Sequence, residues 1–555
     1  MFRDFAPTLR DLRALVRLAV PIVTVQVGLM LMGVVDTVIV GHVSARELAA
    51  ASLGHLYFFG LAVFAMGTLW AIDPIVSQAM GARDHEAAAL GIQRGLVLGA
   101  VLGLITTVLC LPAESVLRAL RQPAEVVPRA AAFVWMSAPS MIALLSFVTL
   151  RQSLQAMKHT RAIVGTIIAG NLTQRGAQLV FVFGHLGAPA MGAVGSALSS
   201  TIGRWVMLTL LLTFSRRELR PMLTPWRSAA WSPGPLFRTL RIGLPIGAQS
   251  TVEFTTFAAI SVFAGWFGAD AIGGHQVAIN LASLTFMVPM GVGGAAAVLV
   301  GHAIEEGDLP HARRVAASAV LCGAAFMALS ALVLLGFPGV FARAYTSVPG
   351  VIAVASTLIP IAGVFQVFDG TQVVASGVLR GAGDTRAAMI ANVLGFWLVG
   401  TPVSLALGFA AHGGVVGLWW GFVAGLAAVA VFMVPARAPA VVAADRAHAG
   451  RGGGDRRRLS RVTKCSSRAR DATPRDVLNS RPWPSNPAAT FHVSGPTRSW
   501  SSATGSTTAR GWAPSHLREG GGRRRAAESL RVASRSSRSG TTATARITSP
   551  WSTAT

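Results

Sequence analysis

Three carboxylic acids stand inside long apolar runs: Asp36 in LMLMGVVDTVIVG, Glu253 in AQSTVEFTTFAAI and Asp369 in VFQVFDGTQVVASG. An ionised group at the centre of a bilayer costs roughly 2.5–3.5 kcal/mol on insertion scales, so such residues face a cavity and serve ions or protons. A carboxyl group removed from water favours its protonated form, and among other oxygen ligands it can hold a small cation. The acids therefore read as a cation-coupling site, against the plainer alternative of protonated acids bonded to a neighbouring helix. Asp73, before the proline of TLWAIDPIV, fits a cavity wall and a helix-breaking structural role equally well. Gln276 and Asn280 lie a turn apart on one helix face, where they either line a cavity or bond across helices. Phe254, Phe257, Phe286, Met287, Met290 and Trp266 could form an adaptable apolar pocket, since methionine repacks easily. Gln26 and Gln249 read as polar glue between helices, and His275 as an interfacial residue.

The elements that must position these groups are membrane spans. Only 13% of the 555 residues are charged, about half the share a water-facing domain carries, and 52% are hydrophobic. Apolar runs of helix-spanning length recur up to residue 436. Twelve are expected, near 17–40, 54–78, 92–112, 130–150, 162–184, 190–214, 242–264, 276–301, 315–337, 351–377, 388–410 and 414–435. Nineteen Lys and Arg fall in the N-terminal arm and the loops after even-numbered spans, against five after odd-numbered spans. That bias puts both termini in the cytoplasm. The net charge of +25 does not signal nucleic acid, because 22 of the 48 basic residues lie from Arg437 onward. There RGGGDRRRLS and SRSSRSGTTATAR lack apolar periodicity, so 437–555 is expected to be a disordered basic tail with no transport role. Cys110, Cys322 and Cys465 are too scattered for a metal motif or a disulfide framework.

The spans also repeat. LAVPIVTVQ (18–26) returns as IGLPIGAQS (242–250), which places Pro21 and Pro245 224 residues apart. The same offset pairs Ser44-Ala45 with Gly268-Ala269 and Asp84 with Asp308, while Thr160-Arg161 meets Thr385-Arg386 at 225. An even number of spans per repeat makes the two halves parallel, about an axis along the membrane normal. The expected units are 1–228 and 229–436.

Three strings carry a resemblance: VVDTVIVGHVSARELAAASLG (34–54), GADAIGGHQVAINLASLTFMVPMGVGGAAAVLVG (268–301) and GVLRGAGDTR (377–386). In that order, on a duplicated twelve-span frame, they resemble the MATE (multidrug and toxic-compound extrusion) family, NorM-like subgroup. The resemblance covers about residues 10–436. It implies export of drugs or metabolites driven by inward sodium or proton flow. It also implies that Glu253 and Asp369 form the cation site of the second half, with Na+ a possible occupant. Asp36 would be the acid of the first half and Asn171 its amide partner. Phe365 stands where the family often has tyrosine, which removes a hydroxyl ligand and favours protons.

The expectation is an all-α polytopic membrane protein, with twelve transmembrane helices in two six-helix parallel repeats. It would be a secondary active antiporter of lipophilic, often cationic small molecules, working by alternating access in the bacterial inner membrane. The cavity would include Gln276, Asn280, Met287, Phe254, Phe257 and Phe365. Beyond the coupling ion no cofactor is expected; the bilayer and the small-molecule substrate are the partners, nucleic acid is not, and the chain should act as a monomer. A lipid-linked-sugar flippase is the alternative, softened into contention by Arg175 and Arg204 within spans. A membrane enzyme would need clustered His or a Ser/His/Asp set, and ATP-driven transport a phosphate loop; neither pattern is present.

Overall fold

A computed structural model describes residues 8–433. The expected basic tail 437–555, with Cys465, lies outside the described residues, as does Arg3 of the N-terminal arm. Within them the chain crosses back and forth twelve times as helices, with no strand among the described residues. The crossings are α1 (Leu9–Gly41), α2 (Arg46–Gly81), α3 (His85–Cys110), α4 (Val127–Ser137 continuing as Ser140–Ala156), α5 (Arg161–Phe181) and α6 (Ala193–Phe214). The second six are α7 (Pro233–Gly265), α8 (Ala269–Glu305), α9 (Leu309–Gly336), α10 (Pro349–Gly381), α11 (Thr385–Ala410) and α12 (Gly414–Met433). Nine are each apolar enough to cross a bilayer, and α4, bent by 51°, makes ten. The other two, α5 and α7, are long enough at 21 and 33 residues but carry the polar side chains of the site described below.

The repeat is written into the backbone. Ser44 and Gly268, 224 residues apart, are the N-caps that start α2 and α8. Asp84 and Asp308 cap α3 and α9 at the same spacing, each accepting from a backbone N–H three residues on. Before each cap stands a left-handed residue, Arg83 (φ 58°) or Gly307 (φ 78°). The later pair, Lys158 (φ 64°) and Gly383 (φ 84°), keeps the offset of 225. Glycine adopts this conformation freely, whereas Arg83 and Lys158 pay about 1–2 kcal/mol each. The acids of the GARD and GDTR loops thus set loop geometry: Asp384 caps α11 as Asp84 caps α3.

Pro21 and Pro245 sit inside α1 and α7, and Pro289 and Pro360 inside α8 and α10. Span α11 is π-helical over Val393–Gly400 and Ala406–Ala410, and the Thr401 hydroxyl donates to the Phe396 carbonyl five residues back. In lipid, apolar burial does not hold helices together, so small residues that admit close backbone approach do. Gly377 of α10 lies against the backbone of Gly293 in α8, leaving no room for a Cβ. The halves meet along a seam in the same way. Gly243 and Gly247 of α7 face Thr68 of α2, Gly291 of α8 faces Val23 of α1, and Gly301 of α8 faces Ser77 of α2. At the end of the bundle carrying Asp84 and Asp308 the seam is also polar. Asp11 of α1 pairs with His311 at 3.1 Å and Arg314 at 3.2 Å on α9, His302 lies 2.8 Å from the Ala156 carbonyl, and Gln78 donates to the Gly381 carbonyl at 3.2 Å.

Candidate functional site

Above that seam the halves part around a cavity of about 610 Å³. Its wall is aromatic and methionine-rich, with Phe59, Phe254, Phe257, Phe286, Met287 and Met290 among the lining residues. Asp36, Glu253 and Asp369 all reach it, from α1, α7 and α10. Phe254 packs edge-on against Phe59 of the other half at 5.7 Å, and Phe59 stacks on His55 at 5.8 Å.

In the first half, Asp36 accepts from Gln174 Nε2 at 2.7 Å and from Gln178 Nε2, both on α5, and from Ser200 Oγ of α6 at 3.2 Å. Arg204, one turn after Ser200, is the countercharge facing it. That guanidinium is itself held by Ser140 at 2.7 Å and lies 4.5 Å over the Phe58 ring. Asn171, expected as the partner of Asp36, is not: its amide donates to the carbonyls of Gly28 (3.2 Å) and Ile167 (2.9 Å). It shares a face with Gln174 and Gln178 but sits one and two turns away from the level of the carboxylate, and glues α5 to α1 instead.

In the second half, Glu253 accepts from Gln249 at 3.1 Å and from Gln372 at 2.7 Å. Gln249 also donates to Ser376, and Gln372 to the Asn392 side chain of α11, so the donors are held from behind. Asp369, 6% exposed, neighbours Glu253 electrostatically and makes no side-chain hydrogen bond among those found for the described residues. Two neighbouring carboxylates repel when both are ionised, which favours a proton or other positive charge beside them. Phe365, one turn before Asp369, is buried against Phe257, Trp419 and Phe422 at 4.9–6.0 Å. Phe365 itself brings no hydroxyl to the recess. Among the described residues no group of three or more His, Cys, Asp or Glu is arranged to hold a metal.

Four of the expected cavity residues, Phe254, Phe257, Met287 and Phe365, do line it. Gln276 and Asn280 do not: Ile279, Ala282 and Ser283 are the outermost wall residues of α8, and Gln276 lies a turn beyond them, exposed and 3.5 Å from Asn280. Trp266 is exposed at the end of α7, in ring contact with Phe263 and Phe409. His275 is buried within the protein, bridging Ser261 (2.9 Å) and the Trp419 indole N–H (3.2 Å). Gln26 and Gln249 act between helices as expected, Gln26 accepting from Arg151 at 2.6 Å and touching the Met290 sulfur across the halves. Asp73 is buried beneath the cavity, accepting from Gln152 at 2.9 Å. Sequence reasoning missed Gln174, Gln178, Ser200, Gln372 and Ser376. A signal was present, since 174/178 and 369/372/376 follow helical spacing through otherwise apolar segments.

The MatE family profile matches the chain twice, over residues 21–175 and 245–405. The chain is 34% identical over 425 residues to the multidrug resistance protein NorM of Burkholderia vietnamiensis, covering 75% of this chain and 91% of that one. It is 29% identical over 433 residues to the multidrug resistance protein MdtK of Pectobacterium atrosepticum, covering 77% and 95%. Among solved structures, that of the eukaryotic MATE transporter AtDTX14 superposes with a TM-score of 0.72 at 19% identity, covering 79% of this chain and 99% of that one. A structure described as the outward-facing conformation of a multidrug resistance MATE family transporter superposes with a TM-score of 0.70 at 19% identity, covering 79% and 97%.

Proposed function

The chain belongs to the MatE family, and from that premise we propose that it is a secondary active efflux transporter, exchanging lipophilic cationic molecules for protons in a bacterial inner membrane. One observation carries the reading: a cavity of about 610 Å³ between the halves, walled by aromatic rings and methionine and reached by three carboxylates. That volume suits a drug-sized molecule. Ring faces and carboxylates both attract a cation, and methionine adapts to different shapes. The halves, residues 1–228 and 229–436, rock about the seam. With the seam closed the cavity gives out on the face away from Asp84, the outer face by the distribution of basic loops.

A coupling ion moves such an equilibrium only by its differential affinity for the two states. Glu253 and Asp369 supply it as neighbouring carboxylates, whose mutual repulsion a bound proton or cation relieves. A proton does so without further ligands, whereas sodium would want further oxygens, and Phe365 supplies none. Asp36, with four polar neighbours, binds the substrate cation or a second proton in the first half. The flippase reading is less well supported, because the cavity arginines are engaged, Arg151 with Gln26 and Arg204 with Ser140 and Phe58. The test is dye accumulation in inverted vesicles under an imposed proton or sodium gradient. A proton gradient alone should drive uptake, and a response to sodium alone would reject proton coupling.

A further inference from the structure

A second group of charges lies under the cavity floor, where the halves touch. Asp73 of α2 is 2% exposed; one carboxylate oxygen is held by Gln152 and the other has no hydrogen-bond partner. Arg380 of α10, 9% exposed, reaches across the seam, its guanidinium 4.9 Å over the ring of Trp70, one helical turn before Asp73. Its Nε is likewise without a partner. Asp73 has two electrostatic neighbours, Arg151 in its own half and Arg380 in the other. Arg380 also has two, Asp73 across the seam and Glu253 in its own half: it follows by one turn Ser376, which bonds Gln249, and by two turns Gln372, which bonds Glu253. Asp369 reaches Glu253 but is not among the neighbours of Arg380.

We propose that Arg380 is the positioning residue that transmits the state of Glu253 to the seam, with Asp73 as its counterpart on the other half. The inference rests on reading Glu253 as a cation-coupling acid. With Glu253 ionised, the buried guanidinium lies between two anions and the seam stays shut. A proton or cation at Glu253 removes one of them. Arg380 is then left with Asp73 alone, which Arg151 also claims, and a buried charge short of partners favours the hydrated, open seam. Loading from outside thus releases the lock on the inner side, whereas the unloaded transporter stays locked and does not slip. The direction does not depend on Asp369, because positive charge added at Glu253 always weakens the hold on Arg380.

Ser77 reports the seam, being fully buried against Gly301 of the other half. The experiment uses the full-length chain with Ser77→Cys and the three native cysteines replaced by serine. Labelling by a membrane-impermeant maleimide is followed in inverted vesicles, without substrate or gradient, as a fraction of the rate in denatured protein. Glu253→Gln should raise the rate by about 5- to 150-fold, the usual range of coupling between sites. Asp369→Asn should not raise it, because that change leaves the hold of Glu253 on Arg380 in place. In the Arg380→Gln background Glu253→Gln should add nothing, while Arg380→Lys, which keeps the charge, should preserve the response. Should Arg380→Gln alone reach the denatured rate, the Lys background carries the test. An unchanged rate in Glu253→Gln, or an equal increase with Gln at 380, would overturn the proposal. A seam that responds as stated in a transporter indifferent to proton gradients would reject the proton as coupling ion and leave the Arg380 link standing.

Discussion

One backbone contact between the halves gives a quantitative prediction. A Cβ added at Gly247 of α7 would stand 2.7 Å from the Phe64 carbonyl oxygen and 3.3 Å from the Thr68 nitrogen of α2. Both are backbone atoms that cannot swing aside, so Gly247→Ala forces the helices apart. Overpacking of this kind costs about 1–3 kcal/mol. The cost falls on the seam-closed conformation alone, whereas the gain in helix propensity applies to both conformations and cancels. The equilibrium should therefore move toward the seam-open state by roughly 5- to 150-fold. Gly60, nearer the other end of α2, is the control: a Cβ there meets only the Phe254 ring edge, at 3.5 Å, an ordinary contact. The assay is maleimide labelling at Ser77→Cys together with a thermal melt in detergent. Gly247→Ala should label faster without unfolding, and Gly60→Ala should behave as the parent. Equal labelling of the two variants would refute the claim that backbone contact at Gly247 holds the seam.

Two further outcomes follow from where the polar side chains ended up. Gln174→Ala should weaken export far more than Asn171→Ala, because it strips a donor from Asp36 at a cost of about 1–3 kcal/mol, while Asn171 bonds only backbone; dye efflux from cells would compare them. Phe257→Ala and Met287→Ala should each weaken dye binding by about tenfold, measured by fluorescence on purified protein, and Gln276→Ala should leave it unchanged, since only the first two lie on the cavity wall.

Much of this architecture is legible in the chain, because lipid imposes few choices. Span length, loop charge and the 224-residue offset lead to twelve helices in two halves, and the offset returns as matched caps at Asp84 and Asp308. The site is legible by face but not by level. Helical spacing puts Asn171, Gln174 and Gln178 on one side of α5, yet only the axial position of α1 decides that the glutamines meet Asp36. The same limit misplaces Gln276, which is on the cavity side of α8 but beyond its rim. His275 reads as interfacial because a polar ring near a helix end usually is. Its burial depends on Trp419, 144 residues away. The break in α4 falls at Pro139, which cannot donate a helix hydrogen bond, so it is marked locally, whereas the π-helical turns of α11 leave no periodic signature.

Proton coupling through the second-half recess is the central claim, and substrate binding without a gradient tests it most directly. Purified transporter in weakly buffered detergent solution is mixed with a lipophilic cationic dye, and the pH of the medium is followed. If dye and proton compete through Glu253 and Asp369, the wild type releases protons on binding, while Glu253→Gln and Asp369→Asn bind dye with the release diminished or lost. Saturable dye binding with no proton release by the wild type, or undiminished release by both variants, would contradict the account.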